Sequence, residues 1–91
     1  MSASLLQTTK ESYLSGDTRN LEKHHIMNGA HRDKSERFGL WVWLTHDEHM
    51  KLHGTPEGAK LARTLKAEAQ EAFEKYYSRE RWMKEFRRNY L

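Results

Sequence analysis

The sequence predicts an α+β domain in which strands come first and helices follow. Residues 40–45 are the clearest strand because they are rich in tryptophan and valine, which favour extended backbone. A helix start follows at once, since Thr45 and Glu48 have the spacing of a capping box. Residues 61–76 then repeat apolar side chains at helical period. Strand signals therefore give way to helix signals at Thr45.

The part of the chain before this strand is predicted to hold a hairpin and a loop. Tyr13 and Leu14 form the first arm, residues 15–18 have the composition of a turn, and residues 21–26 form the return strand. Residues 27–39 are polar, basic and interrupted by glycine, which indicates a loop.

Three helices are predicted after Thr45. The first is short, has Gly54 as its C-cap and directs Met50 and Leu52 into the core. The second has Thr55 as its N-cap, with proline at the first helical position. Its buried face is predicted to comprise Leu61, Leu65, Ala69, Ala72, Phe73 and Tyr76. The third begins after the cap residue Ser78 and is predicted to bury Trp82, Met83 and Phe86.

Composition limits the classes of protein to which the chain can belong. Its 91 residues suit one domain, 1–91, in which we expect residues 1–10 to be flexible. The chain has no cysteine, which excludes disulfides and thiolate zinc sites, whereas six histidines can supply imidazole ligands. A net charge of +3 is compatible with a nucleic-acid partner. Without a long apolar run or a signal-peptide pattern, we expect a soluble cytoplasmic protein and no membrane partner.

Four histidines have the spacing of a metal site. His49 and His53 lie four residues apart on the predicted short helix, so their side chains share one face. A third ligand must come from elsewhere, and His24 or His25 in the return strand is its natural source. Three imidazoles leave positions for water and a phosphate oxygen, which is typical of catalytic metal sites. The alternative is that these are surface histidines without a shared function.

The order and spacing of these residues resemble those of the HNH, or His-Me finger, nucleases with their ββα-metal motif. Residues 22–25, Glu-Lys-His-His, followed by residues 49–54 are similar to the active site of the colicin DNases. Residues 12–91 also resemble small phage proteins of this superfamily, down to the closing Arg-Asn-Tyr-Leu. The resemblance implies a ββα-metal core over residues 12–54 and a helical extension over residues 55–91.

The resemblance also implies a role for each matching residue. His24, His49 and His53 correspond to the metal ligands, and His25 corresponds to the general base that accepts a proton from water. Glu22 corresponds to a carboxylate that supports the site. The implied cofactor is one divalent metal ion, with Mg²⁺, Mn²⁺, Ni²⁺ and Zn²⁺ all left open.

The implied partner is DNA, contacted mainly through its phosphates. The candidate contacts in the loop are His31, Arg32, Lys34 and Arg37. A basic tail, equally typical of a solvated helix face, comprises Arg79, Arg81, Lys84, Arg87 and Arg88. A homodimer formed through the long helix and the aromatic tail is also left open.

One family residue is missing from the sequence. The asparagine expected near the start of the second strand falls at Gly39 or Leu40, and neither can brace the loop that presents the base. Asn28 and Ser35 are the candidates to replace it.

We therefore expect a metal-dependent HNH-type endonuclease or nickase, encoded by a phage or prophage, that hydrolyses DNA phosphodiester bonds in the bacterial host. The alternative is a catalytically degenerate, metal-stabilised finger that acts as a DNA-binding or protein-interaction module. A third interpretation is a helical partner-binding protein with incidental histidines, on which a metal ion would have no effect.

Overall fold

The computed structural model describes residues 3–91 and confirms the α+β class. A short 3-10 helix, Gly29–His31, leads into the first α-helix. The elements are β1 (Leu21–His25), α1 (Arg32–Arg37), β2 (Trp41–Thr45), α2 (His46–Gly54), α3 (Pro56–Tyr76) and α4 (Arg79–Phe86). Within the described residues, no helix combines the length and the apolar character needed to cross a bilayer.

The two strands pair with each other in antiparallel orientation, with Leu21 opposite Thr45 and His25 opposite Trp41. The predicted pairing of β1 with residues 13–14 is therefore wrong. Those residues form a turn because the Ser12 hydroxyl accepts hydrogen bonds from the backbone N–H groups of the second and third residues after it.

The segment between the strands also differs from the prediction. Residues 27–39 were expected to form only a loop, but they contain α1. The helix is short and polar, and its one buried residue is Ser35. With a single inward side chain, α1 leaves no apolar periodicity in the sequence, so its packing cannot be anticipated from the pattern.

The N-terminal segment lies along the free edge of β2. The Trp43 N–H donates to Oε1 of Gln7 at 2.6 Å, and the Tyr13 N–H donates to the Trp43 carbonyl at 2.8 Å. These bonds satisfy backbone groups that an uncovered edge strand would expose. The flexibility expected of residues 1–10 stays a prediction. Residues 1 and 2 of this segment lie outside the described part of the chain.

The junction between β2 and α2 has the predicted capping box. Thr45 Oγ1 accepts from the Glu48 N–H at 3.2 Å, and Glu48 Oε1 accepts from the Thr45 N–H at 2.8 Å. Gly54, predicted to be the C-cap, is instead the last residue of α2. Thr55 caps both helices, because it ends α2 and its hydroxyl accepts from the Gly58 N–H at 2.9 Å.

The hydrophobic core lies between the sheet and the helices. Leu52 is buried as predicted, but Met50 is 62% exposed, because α2 turns its histidine-bearing side and Leu52 toward the rest of the domain. Tyr76 and Met83, also predicted to be buried, are exposed. The core residues on the last two helices are Leu65, Ala69, Phe73, Trp82 and Phe86.

Candidate metal centre

Three of the predicted ligands converge where α2 packs against β1. His24 comes from the strand, and His49 and His53 come from the helix. Their candidate ligand atoms all lie within 4.8 Å of one another. The ring centroids are 5.2 Å apart for His24 and His49, 5.8 Å for His24 and His53, and 5.2 Å for His49 and His53. The three histidines are close enough to hold a metal ion, and the histidine that the strand contributes to this group is His24 rather than His25.

The three histidines differ in burial, so the cluster opens to solvent on one side. His24 is buried, His49 is half-buried and His53 is exposed. Burial lowers the pKa of His24 to about 4, with a smaller contribution from the charges of the neighbouring histidines. The imidazole of His24 is consequently neutral at neutral pH, which is the form that binds a metal ion.

Glu22 orients the imidazole ring of His49 through its Nδ1 atom. Its Oε1 accepts from Nδ1 of His49 at 2.9 Å, and its Oε2 accepts from Nδ1 of His46 at 2.8 Å. These hydrogen bonds, the one from His49 first, lower the pKa of Glu22. The arrangement leaves Nε2 of His49 as the ligand atom, as in carboxylate–histidine–metal triads. His46 was not among the predicted site residues, since its link to Glu22 depends on the contact between β1 and α2.

His25 lies beside the cluster but is held by a different carboxylate. Its Nε2 donates to Oε1 of Glu36 at 2.7 Å, and Nζ of Lys23 lies 3.3 Å from the same oxygen. Glu36 belongs to α1 and was missed by the sequence prediction. Glu36 directly follows Ser35 in the polar segment between the strands, but nothing in the sequence spacing indicates which histidine its carboxylate would meet.

Ser35 braces the turn that follows His25. Its hydroxyl accepts from the Met27 N–H at 3.1 Å and donates to the Leu40 carbonyl at 2.5 Å, and the side chain is fully buried. The end of β1 is thereby joined to the start of β2. Asn28, the other candidate for this work, is exposed and makes no side-chain capping bond.

A concavity of about 190 Å³ lies over the cluster. It is lined by Lys23, His24, His25, Asn28, Arg32, His49 and His53. Pockets for whole small molecules usually start at about 300 Å³. The concavity therefore has room for an ion, water and a phosphate group.

The predicted DNA contacts occupy different environments. Arg32 is exposed and lines the concavity. Nζ of Lys34 instead donates to the Glu85 carbonyl at 2.8 Å, and the guanidinium of Arg37 lies over the ring of Phe38. The ring of His31 packs against that of Phe86, with centroids 5.4 Å apart. Of these four, Arg32 is thus the one that lines the concavity over the histidine cluster.

Comparisons with protein-family models, with curated proteins and with solved structures found no match to this chain. The functional assignment consequently depends on the geometry of the site and on the resemblance of its motif.

Proposed function

We propose that the protein is a metal-dependent HNH-type nuclease that hydrolyses DNA phosphodiester bonds. The observation that carries the proposal is the convergence of His24, His49 and His53 beneath a concavity that His25 also lines. Because Zn²⁺ and Ni²⁺ bind imidazole well whereas Mg²⁺ and Mn²⁺ prefer oxygen ligands, Zn²⁺ and Ni²⁺ suit this donor set better than the other two ions do.

A bound divalent ion would polarise a phosphate oxygen and stabilise the charge that develops on the leaving oxygen. The residues of the chain supply the other requirements of hydrolysis. His25 accepts the proton of the attacking water, since histidine is the side chain that most often serves as a general base. Arg32, at the mouth of the concavity, pairs with a phosphate of the DNA backbone.

Two features of the surroundings support this division of roles. Glu22 holds His49, and Glu36 holds His25, so each histidine has its own carboxylate partner. Ser35 braces the turn after the base and does the work expected of the missing asparagine. A site that only bound a structural metal ion would need Glu22, which orients a candidate ligand, but would not need Glu36, which holds the proposed base.

Cleavage of supercoiled plasmid tests the proposal. Wild type is compared with His25→Ala and His49→Ala in Mg²⁺, Mn²⁺, Ni²⁺ or Zn²⁺, and in chelator. Met50→Ala is the matched control, because this exposed side chain lies on α2 beside His49 and outside the concavity. We expect metal-dependent nicking by wild type and Met50→Ala, and loss of nicking in both histidine variants. Equal cleavage by His25→Ala and wild type would rule out the proposed base.

The second candidate is a metal-stabilised finger without catalysis. One observation favours it: the His25 side chain is only 11% exposed, which limits its access to an attacking water. In this case Zn²⁺ would raise the melting temperature of wild type but not of His49→Ala, and no divalent ion would support cleavage. A DNA-binding assay on the same samples then separates a DNA-binding module from a protein-interaction module.

A further inference from the structure

The contact between Glu36 and His25 joins the α1 helix to the end of the β1 strand. Oε1 of Glu36 lies 2.7 Å from Nε2 of His25, and the two side chains are 33% and 11% exposed. A hydrogen bond of this length in a largely shielded place restricts the rotation of the imidazole.

The carboxylate is itself held in place. The neighbouring residue on α1, Ser35, is fully buried and hydrogen-bonds to residues on both sides of the helix. Lys23 approaches the same carboxylate from β1, with Nζ 3.3 Å from Oε1. The Lys23 ammonium also lies 4.1 Å from the centroid of the Trp41 ring, which restricts its own position. Glu36 therefore has a defined location relative to β1.

The chemistry of the pair determines which nitrogen of His25 carries a proton. The hydrogen bond from His25, followed by that from Lys23, lowers the pKa of Glu36, so its carboxylate is ionised at neutral pH. An ionised carboxylate only accepts hydrogen bonds. Nε2 of His25 must consequently carry the proton, and in neutral His25 the lone pair that can accept a proton from water lies on Nδ1.

We propose that Glu36 is a positioning residue that fixes the ring direction and the tautomer of His25, so that Nδ1 is the basic atom. The inference rests on the proposed nuclease function, in which His25 is the base. It assigns a role to a residue for which the resemblance implies none, and it names the atom that takes the proton. Glu36 does not line the concavity, so it acts through His25 and not on the substrate.

The first experiment observes the hydrogen bond directly and requires no cleavage. Protein with ¹⁵N-labelled histidine is loaded with Zn²⁺, which is diamagnetic, and the imidazole proton on Nε2 of His25 is followed by NMR. We expect a resolved downfield signal with slow solvent exchange in wild type. The signal should disappear in Glu36→Ala and persist in Glu36→Gln, whose amide oxygen still accepts. Asp33→Ala is the control, since this exposed acidic residue of α1 is not a partner of His25.

The second experiment measures kcat and KM for plasmid nicking by the same variants. Misplacement of a catalytic group costs about 100-fold in rate, so Glu36→Ala should lose about that factor in kcat with little change in KM. Glu36→Gln should recover most of the loss, and Asp33→Ala should match wild type. Melting temperatures verify that the compared variants are folded.

The two readouts separate the inference from the function on which it rests. An unchanged His25 signal in Glu36→Ala, or wild-type kcat in that variant, would overturn the positioning role. Loss of the signal in Glu36→Ala, in a protein whose wild type cleaves nothing, would uphold the positioning of His25 and reject the nuclease.

Discussion

Gly58 of α3 lies directly against the carbonyl oxygen of Lys51 in α2. A Cβ placed on Gly58 would collide with this oxygen and would stand 2.7 Å from the carbonyl oxygen of Leu52. Both obstacles are backbone atoms, so the helices must separate to admit a methyl group. Because α2 carries His49 and His53, the close crossing of α2 and α3 also sets the position of two histidines of the candidate metal centre.

Gly58→Ala should therefore lower both stability and metal affinity. We expect a loss of about 1–3 kcal/mol in the free energy of unfolding, as is usual for overpacking, in spite of the better helix propensity of alanine. Gly54→Ala is the matched control, since its Cβ would meet nothing within 4 Å. Urea unfolding and Zn²⁺ titration check both variants, and equal behaviour of the two would contradict the proposed close contact.

Glu22→Ala should weaken metal binding without removing a ligand. The substitution frees Nδ1 of His49 and lets the ring rotate and change tautomer. Loss of such a supporting carboxylate typically reduces metal affinity by about 10- to 100-fold. Calorimetric titration with Zn²⁺ measures the change. Glu57→Ala, at an exposed position on α3, should bind Zn²⁺ as wild type does. Wild-type affinity in Glu22→Ala would show that the hydrogen bond is unimportant for the site.

The stability of the metal-free protein should depend on pH through His24. Its pKa is about 4 in the folded state and near 6.5 when unfolded. Between these values the unfolded chain binds more protons, so the free energy of unfolding falls as the pH drops from about 6.5 toward 4. Above about pH 6.5 the group contributes no pH dependence. Over the whole range from pH 6.5 to below 4, the free energy of unfolding would fall by about 3 kcal/mol.

Unfolding in chelator between about pH 7 and 5 tests this prediction, because carboxylates with a lowered pKa, such as those of Glu36 and Glu48, titrate below 4.5. His24→Gln removes the buried imidazole and should flatten the pH dependence across that window. The same slope in wild type and His24→Gln would assign the effect to other groups.

Ser35→Ala should destabilise the turn after His25. The Leu40 carbonyl keeps a second partner, the Ile26 N–H at 3.0 Å, but the buried Met27 N–H loses the hydroxyl that it meets. An unpaired buried donor costs about 1–3 kcal/mol. Chemical denaturation measures the loss. Thr64→Ala, an exposed hydroxyl bonded only within α3, should change stability by less than about 0.5 kcal/mol. An equally small loss of stability in Ser35→Ala would show that the Ser35 hydroxyl does not stabilise this turn.

Arg32→Ala should weaken DNA binding more than Lys34→Ala does. Arg32 stands at the concavity, whereas Lys34 is already bonded to Glu85. The logarithm of the binding constant falls linearly with the logarithm of the salt concentration, and the loss of one phosphate contact makes this slope shallower by about one. Affinities for a short duplex at several salt concentrations provide this slope. A larger effect of Lys34→Ala would place the DNA on the α4 side of α1.

Local chemistry was sufficient to predict several features of this protein. The capping box of Thr45 and Glu48, the cap at Thr55 and the cap at Ser78 each depend on residues within three positions. The shared face of His49 and His53 follows in the same way from helical period. These interactions form within a single element, so sequence spacing specifies them directly.

Other features were decided only when distant elements packed together. The partner of β1, the choice of His24 over His25 in the cluster and the contact of Glu36 with His25 all join residues on separate elements. The exposure of Met50 belongs to the same group, because helical period defines faces but not which face meets the core. Sequence spacing thus supplies the ligands of this site, whereas tertiary packing selects among them and orients their rings.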